Sequence, residues 1–359
     1  HCQCRRQRQM CIRDSIHTLE LELSSSCNAG CCVCPRYIEH NNGLYENPFA
    51  DLNQHLTVEI IEYIMTGFPM SDHVKVDCIG TVGDPLANKN IVELVERIVK
   101  HKPKCELQIH TNGSLRNTKT FTELARLVPL HSSRKIVFSI DGLEDTNHLY
   151  RKNVSWDRVM ANAQAFIKAG GRAEWKIVEF NHNKHQIDEV KNLARTLGFK
   201  GFQTTPNQSP DEIVDRTIVN GKNILDIYKR APTIEDGYKD DDPIETVEPN
   251  TVIEPQCELG QYIHIRGDGL VFPCCMTAGN FYNPTSWIRN DVMSLMSLPS
   301  HWNNLHKRSF SEILNSSEWT SIQNNYKSKN PCWTCADSCG VDNESLNPAD
   351  HIIREKVYE

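Results

Sequence analysis

Three cysteines in one short stretch are the residues with the clearest chemical potential. Cys27, Cys31 and Cys34 stand in Cys27-Asn28-Ala29-Gly30-Cys31-Cys32-Val33-Cys34, a CxxxCxxC spacing. Thiolates from one tight loop can each take one iron of a cubane and leave the fourth iron open to an exogenous ligand. A structural site instead closes every coordination position. Cys32 falls outside this register and is expected to be free. Zinc is the competing chemistry, with Cys31 and Cys34 as a CxxC knuckle completed by a second pair elsewhere. That reading makes the chain a zinc-stabilised α/β binding protein without redox catalysis.

The chain has 359 residues and 15 cysteines. An odd count at uneven spacing argues against a disulfide framework. Cys78 and Cys105 lie in apolar runs and read as small buried hydrophobes. The net charge of −7 disfavours nucleic acid as a partner. No apolar run approaches membrane-spanning length, so a cytoplasmic protein with no membrane partner is expected. Residues 1–14 lack any apolar period and are expected to be a non-native or disordered leader.

Strand-like and helix-like segments alternate behind that leader. His17–Leu23 has period two and runs into the cysteine loop. Helices are expected over 57–67, 90–99, 118–127, 156–169 and 186–197, with strands over 74–79, 107–109, 136–140, 175–180 and 199–204. Six βα-like units imply a parallel sheet, either an open barrel or a doubly wound sheet. Functional loops then belong at the C-terminal strand ends. Gly80-Thr81-Val82-Gly83-Asp84-Pro85, Thr111-Asn112-Gly113 and Ser139-Ile140-Asp141-Gly142 all fall there.

These ordered motifs, over roughly 17–205, resemble the radical S-adenosylmethionine (SAM) superfamily. The resemblance implies a partial (β/α)6 TIM-like barrel and a [4Fe–4S] cluster on Cys27, Cys31 and Cys34. It implies that Val33 contacts the adenine and that the stretch holding Gly83, Asp84 and Pro85 binds the SAM amino group. Asp84 stands where the family usually has Glu. Asn112 and Ser139 would line the SAM pocket, and Arg151 would bind its carboxylate. The reaction implied is reductive cleavage of SAM to a 5′-deoxyadenosyl radical that abstracts hydrogen. The partners are a small-molecule or peptide substrate and a reductant such as flavodoxin or ferredoxin. No catalytic base stands out by spacing.

The region behind 231–255, an acidic proline-bearing linker, carries Cys257, a GDG hairpin signal over 262–273, Cys274 and Cys275. A helix is expected over 310–326, then Cys332, Cys335 and Cys339. This resembles the SPASM/twitch extension, a small α+β module over 256–345. It implies one auxiliary [4Fe–4S] cluster on Cys257, Cys274, Cys332 and Cys335, with Cys275 or Cys339 as substitutes. The core is expected over 15–230 and a tail over 346–359. A single auxiliary cluster leans toward a small-molecule substrate. Structural zinc on the same thiolates is the competing reading of the module.

Overall fold

The computed structural model describes residues 16–206 except 41–42, 48–49 and 51; 217–223; Ile253; 261–340 except 284–285, 298–300, 326–327 and 329–330; and 353–356. The leader, the linker apart from Ile253, Cys2, Cys4, Cys11 and Cys257 lie outside the described residues.

The central strands are β1 (Ile16–Glu22), β4 (Met70–Ile79), β5 (Glu106–Thr111), β6 (Arg134–Ser139), β7 (Ala173–Glu179) and β8 (Gly201–Pro206). They are parallel and stand side by side in chain order. A doubly wound sheet would reverse that order midway. Sequential order with right-handed crossovers keeps the helices on one face and leaves the other face inward. The fold is therefore mixed α/β with a partial barrel, as the resemblance implied.

The connecting helices are α1 (Val58–Gly67), α2 (Ile91–His101), α3 (Thr118–Leu127), α4 (Asn147–Tyr150), α5 (Trp156–Lys168) and α6 (Ile187–Leu197). Side-chain caps start three of them: Thr57 accepts from the Ile60 N–H, Asn117 from Thr120 and Ser155 from Arg158. Each such cap contributes about 1 kcal/mol. Leu19, Leu21, Val76, Ile109 and Phe138 join the helices' apolar faces in one core. Cys78 and Cys105 are fully buried there.

Several features depart from the sequence reading. The GDG hairpin, β10 (Tyr262–Ile265) and β11 (Val271–Phe272), does not form a separate sheet, because β10 pairs in parallel with β1. Within the tail, β12 (Ile353–Lys356) pairs antiparallel with β8. The result is one nine-stranded sheet, β11-β10-β1-β4-β5-β6-β7-β8-β12. Additions at both edges keep the barrel from closing through its own strands. A second sheet holds β2 (Tyr37–His40), β3 (Gly43–Glu46) and β9 (Thr217–Asn223), none of them foreseen.

The C-terminal part adds α7 (Cys275–Asn280), α8 (Ser286–Leu295), α9 (Phe310–Leu314), α10 (Ser317–Asn325) and α11 (Trp333–Cys339). The expected helix over 310–326 is thus two helices. Ser316 breaks it: its hydroxyl donates to the Ile313 carbonyl and accepts from the Trp319 N–H, starting a new helix.

Candidate active site at the open ends of the strands

The cysteine loop leaves β1 directly and is pinned on every side. Ser25 N–H donates to the Gln54 carbonyl at 2.9 Å, and Gly30 N–H to the Lys152 carbonyl at 2.8 Å. Arg36, nearly buried, donates to the carbonyls of Ser25 (2.8 Å) and Val82 (3.1 Å). It therefore binds the cysteine loop to the loop behind β4. Cys31 and Cys32 are buried; Cys27 and Cys34 are half-buried. Val33 is half-buried against the core.

The loop behind β4 approaches the cysteine loop as closely as backbone allows. A Cβ on Gly83 would lie 1.9 Å from the Ser24 carbonyl oxygen, so only glycine fits. Asp84, with Pro85 opening a short 3-10 turn behind it, is buried. Its carboxylate accepts from Leu86 N–H (2.9 Å), the Thr111 hydroxyl (2.9 Å) and Asn112 N–H (2.8 Å). Its own N–H donates to the Ser26 carbonyl. Asp84 thus staples three loops together, a use of the carboxylate that the resemblance did not specify. The shorter arm of Asp relative to Glu suits that inward position.

Asn112 continues the chain of contacts. Its amide donates to Asn28 Oδ1 at 3.0 Å and reaches Cys27 Sγ at 3.6 Å. Asn28 in turn donates to the Ser114 hydroxyl at 2.8 Å. Gly113 follows at φ +76°, the left-handed turn that an Asn-Gly pair favours. Ser139 ends β6 half-buried, opposite Lys176 of β7.

Arg151 lies inside the protein, not in a surface ion pair. Its Nε is 2.5 Å from Asp141 Oδ2, and its Nη1 is 3.4 Å from Cys31 Sγ. Asp141 is wholly buried and also accepts from Val178 N–H at 2.6 Å. The loop behind β6 thereby delivers a guanidinium to the middle cysteine of the trio.

Burial pushes the Cys27 thiol up to about 12, with the Asp84 charge adding to it. Burial does the same to Cys34, about 12, with Cys31 beside it. Burial also raises Cys31, against the opposing pull of Arg151. Such thiols ionise only for a strongly cationic partner. Among the described residues no three His, Cys, Asp or Glu side chains converge on a single-ion site. A cubane makes no such demand, because each thiolate meets a different iron. The donor set is all sulfur, on a glycine-bearing loop, which fits an iron–sulfur cluster.

At the other end of the chain, Cys274 is the N-cap residue of α7 and lies 3.6 Å from the Thr277 hydroxyl. Cys275 turns elsewhere, its sulfur accepting from the Tyr262 hydroxyl at 3.4 Å. Cys332 and Cys335 are buried and Cys339 is half-buried. Asn325, last in α10, holds the Cys332 N–H at 2.8 Å. Asp291 of α8 accepts from the Cys332 thiol (2.8 Å) and from Thr334 N–H (3.2 Å). Asn280 of α7 donates to the Thr334 hydroxyl of α11 at 3.2 Å, which ties the two cysteine-bearing helices together.

Glu22, Arg36, Asn28 and Asp141 belong to the site but escaped sequence reasoning. Glu22 accepts from Val82 N–H and from the Tyr282 hydroxyl. Its one available signal was a glutamate on the apolar-alternating β1. Arg36 has none, because its partners are backbone carbonyls.

The profile of the radical SAM superfamily matches residues 21–197, and that of an iron–sulfur cluster-binding domain, SPASM, matches 257–336. The chain belongs to the radical SAM superfamily and carries a SPASM domain C-terminal to its radical SAM domain. The superfamily uses a [4Fe–4S] cluster and SAM, and SPASM domains bind auxiliary clusters. That disfavours the zinc-stabilised binding protein. No curated protein matches significantly. Among solved structures the chain is similar to native anSMEcpe with bound AdoMet, at 13% identity over 87% of this chain and 84% of that one, TM-score 0.49. It is similar to Streptococcus suis SuiB bound to precursor peptide SuiA at 16% identity, over 90% and 76%, TM-score 0.49. It is also similar to BtrN in complex with AdoMet and 2-DOIA at 13% identity, over 94% and 98%, TM-score 0.39. No helix among the described residues is long and apolar enough to cross a membrane.

Proposed function

We propose that the chain cleaves SAM reductively and uses the resulting 5′-deoxyadenosyl radical to take a hydrogen atom from a substrate, with a small molecule favoured over a peptide. One observation carries the reading. The loop that carries the three thiols is laced to the loops behind β4, β5 and β6 through Arg36, Asp84, Asn112 and Arg151, with Asn112 reaching the Cys27 sulfur and Arg151 the Cys31 sulfur. Cys27, Cys31 and Cys34 would hold the [4Fe–4S] cluster. When bound, that cluster supplies the electron for C–S cleavage.

Val33, Gly83, Pro85, Asn112 and Ser139 would contact SAM beside the trio. Asp84 sets the mutual position of their loops. Arg151 holds positive charge against Cys31 and favours its thiolate. Cys257, Cys274, Cys332 and Cys335 would hold one auxiliary [4Fe–4S] cluster. Cys275, next to Cys274, or Cys339 would substitute for a member of that group. A reductant of the flavodoxin or ferredoxin type would feed the site.

The test is anaerobic reconstitution with iron and sulfide, followed by assay of iron and of 5′-deoxyadenosine formed from SAM and dithionite. Two cubanes' worth of iron is expected, with 5′-deoxyadenosine that disappears in Cys31→Ala. Tightly held zinc without 5′-deoxyadenosine would refute the proposal.

A further inference from the structure

The two sets of cysteines meet opposite charges. At the N-terminal trio the neighbour is a cation: Arg151 Nη1 stands 3.4 Å from Cys31 Sγ. At the C-terminal set it is an anion: Asp291 Oδ2 lies 2.8 Å from Cys332 Sγ. Asp291 is on α8, and the packing of α8 on α11 brings it to a cysteine 41 residues further along the chain.

The carboxylate does not depend on the thiol for its place. Cys332 is the N-cap residue of α11, yet its own side chain makes no cap bond. Asp291 caps the helix from outside instead. Its Oδ1 accepts from Trp333 N–H at 3.4 Å, and its Oδ2 accepts from Thr334 N–H at 3.2 Å and from the Thr334 hydroxyl at 3.4 Å. Thr334 is buried, and the Asn280 amide of α7 holds its hydroxyl in turn. Iron takes the proton from a ligating thiol, and with it the S–H···O contact. The three donors from the first turn of α11 remain, and the start of a helix favours an anion. Negative charge therefore stays beside the sulfur when the thiol becomes a thiolate. Cys332, Cys335 and Thr334 are all buried, so water screens that charge weakly.

We propose that Asp291 sets the reduction potential of the auxiliary cluster low by holding a negative charge against its Cys332 ligand. The residue acts through Cys332 and is a positioning residue. Reduction adds one negative charge to a cluster, and the potential follows the net charge and the hydrogen bonds around its sulfurs. A carboxylate at a ligand sulfur opposes that electron, whereas the Arg151 guanidinium at Cys31 welcomes it. One electron from the reductant can reside on either cluster. The anion at one and the cation at the other keep it on the N-terminal cluster, where SAM cleavage needs it.

This inference rests on the assignment of Cys332 to an auxiliary cluster. Its test is a redox titration of the reconstituted full chain, followed by electron paramagnetic resonance, with Cys31→Ala identifying the auxiliary signal. Asp291→Asn removes the charge and keeps an acceptor for the Thr334 N–H. Its auxiliary midpoint should shift to higher potential, with the N-terminal midpoint in place. Asp291→Glu restores the charge and should bring the auxiliary midpoint back toward wild type. Thr334→Val removes the hydroxyl that offsets the carboxylate, so the auxiliary midpoint should shift to lower potential. An unmoved auxiliary midpoint in Asp291→Asn, or equal shifts of both clusters, would overturn the proposal. If Asp291→Asn fails to hold its cluster, Thr334→Val decides, and an unmoved or raised midpoint there sinks the idea. Iron content separates the two levels. A wild-type chain with one cubane's worth of iron defeats the assignment of Cys332 and this proposal with it. Two cubanes' worth with unmoved midpoints defeats the proposal alone.

Discussion

The two cysteine-bearing regions are built on opposite plans. Cys27, Cys31 and Cys34 come from a single loop, fixed by Arg36 just behind it and by Asp84, Asn112 and Arg151 from the strand-end loops around it. Cys274, Cys332 and Cys335 come from segments far apart in the chain. Helix ends hold them, with Asp291 and Asn325 gripping the start of α11 and Asn280 linking α7 to α11. The first plan places the thiols on the rigid parallel sheet. The second makes the site depend on the mutual docking of short helices. Geometry at the first site is thus inherited from the barrel, whereas at the second it depends on a few polar contacts.

The sharpest way to break the comparison is Cys31→Ala. It should remove one cubane's worth of iron and all 5′-deoxyadenosine while the SPASM cluster stays. Iron and sulfide analysis beside the SAM-cleavage assay checks this. Loss of both clusters would mean that the two regions are not independent.

Arg151→Gln comes next. It leaves the wholly buried Asp141 without its cation. A broken buried pair costs about 3–5 kcal/mol, readable as a lowered denaturation midpoint of the apo chain. The same variant removes the donor to Cys31, so the reduction potential of the N-terminal cluster should fall while that of the auxiliary cluster stays.

Asp84→Ala should follow at about 2–4 kcal/mol, since it strands the buried N–H groups of Leu86 and Asn112. Asp84→Asn keeps one acceptor oxygen and should lose less. Urea denaturation of the three proteins ranks them, and equal losses in Asn and Ala would remove Asp84 as the staple.

The smallest effect is expected in the helical region. Asp291→Ala removes the acceptor at the start of α11, a loss of about 1 kcal/mol. The auxiliary cluster should become more easily lost to chelator, with the N-terminal cluster unaffected. Timed chelation followed by spectroscopy of both clusters measures it.

Much of the barrel was legible in the sequence because period-two strands and 3.6-period helices carry their own signals. The helices expected over 57–67, 118–127 and 156–169 begin where Thr57, Asn117 and Ser155 cap them. The pairing of β10 with β1, residues 262 and 18 in register, has no local signal. It joins segments 244 residues apart, so the hairpin read as a separate module. The break at Ser316 was hidden because apolar spacing runs on through Phe310, Ile313, Trp319 and Ile322 on both sides of it. At the site, CxxxCxxC and the strand-end loops were readable from spacing. The partners of Asp84 and Arg151 were not, since hydrogen bonds between loops leave no periodicity.

The central claim is that the N-terminal trio holds a cluster on which SAM acts directly. Electron paramagnetic resonance of the dithionite-reduced, reconstituted protein tests it most directly, recorded with and without SAM. The account predicts two overlapping cluster signals, of which only the one missing in Cys31→Ala changes shape when SAM is added. A spectrum indifferent to SAM, or a change that persists in Cys31→Ala, would contradict it.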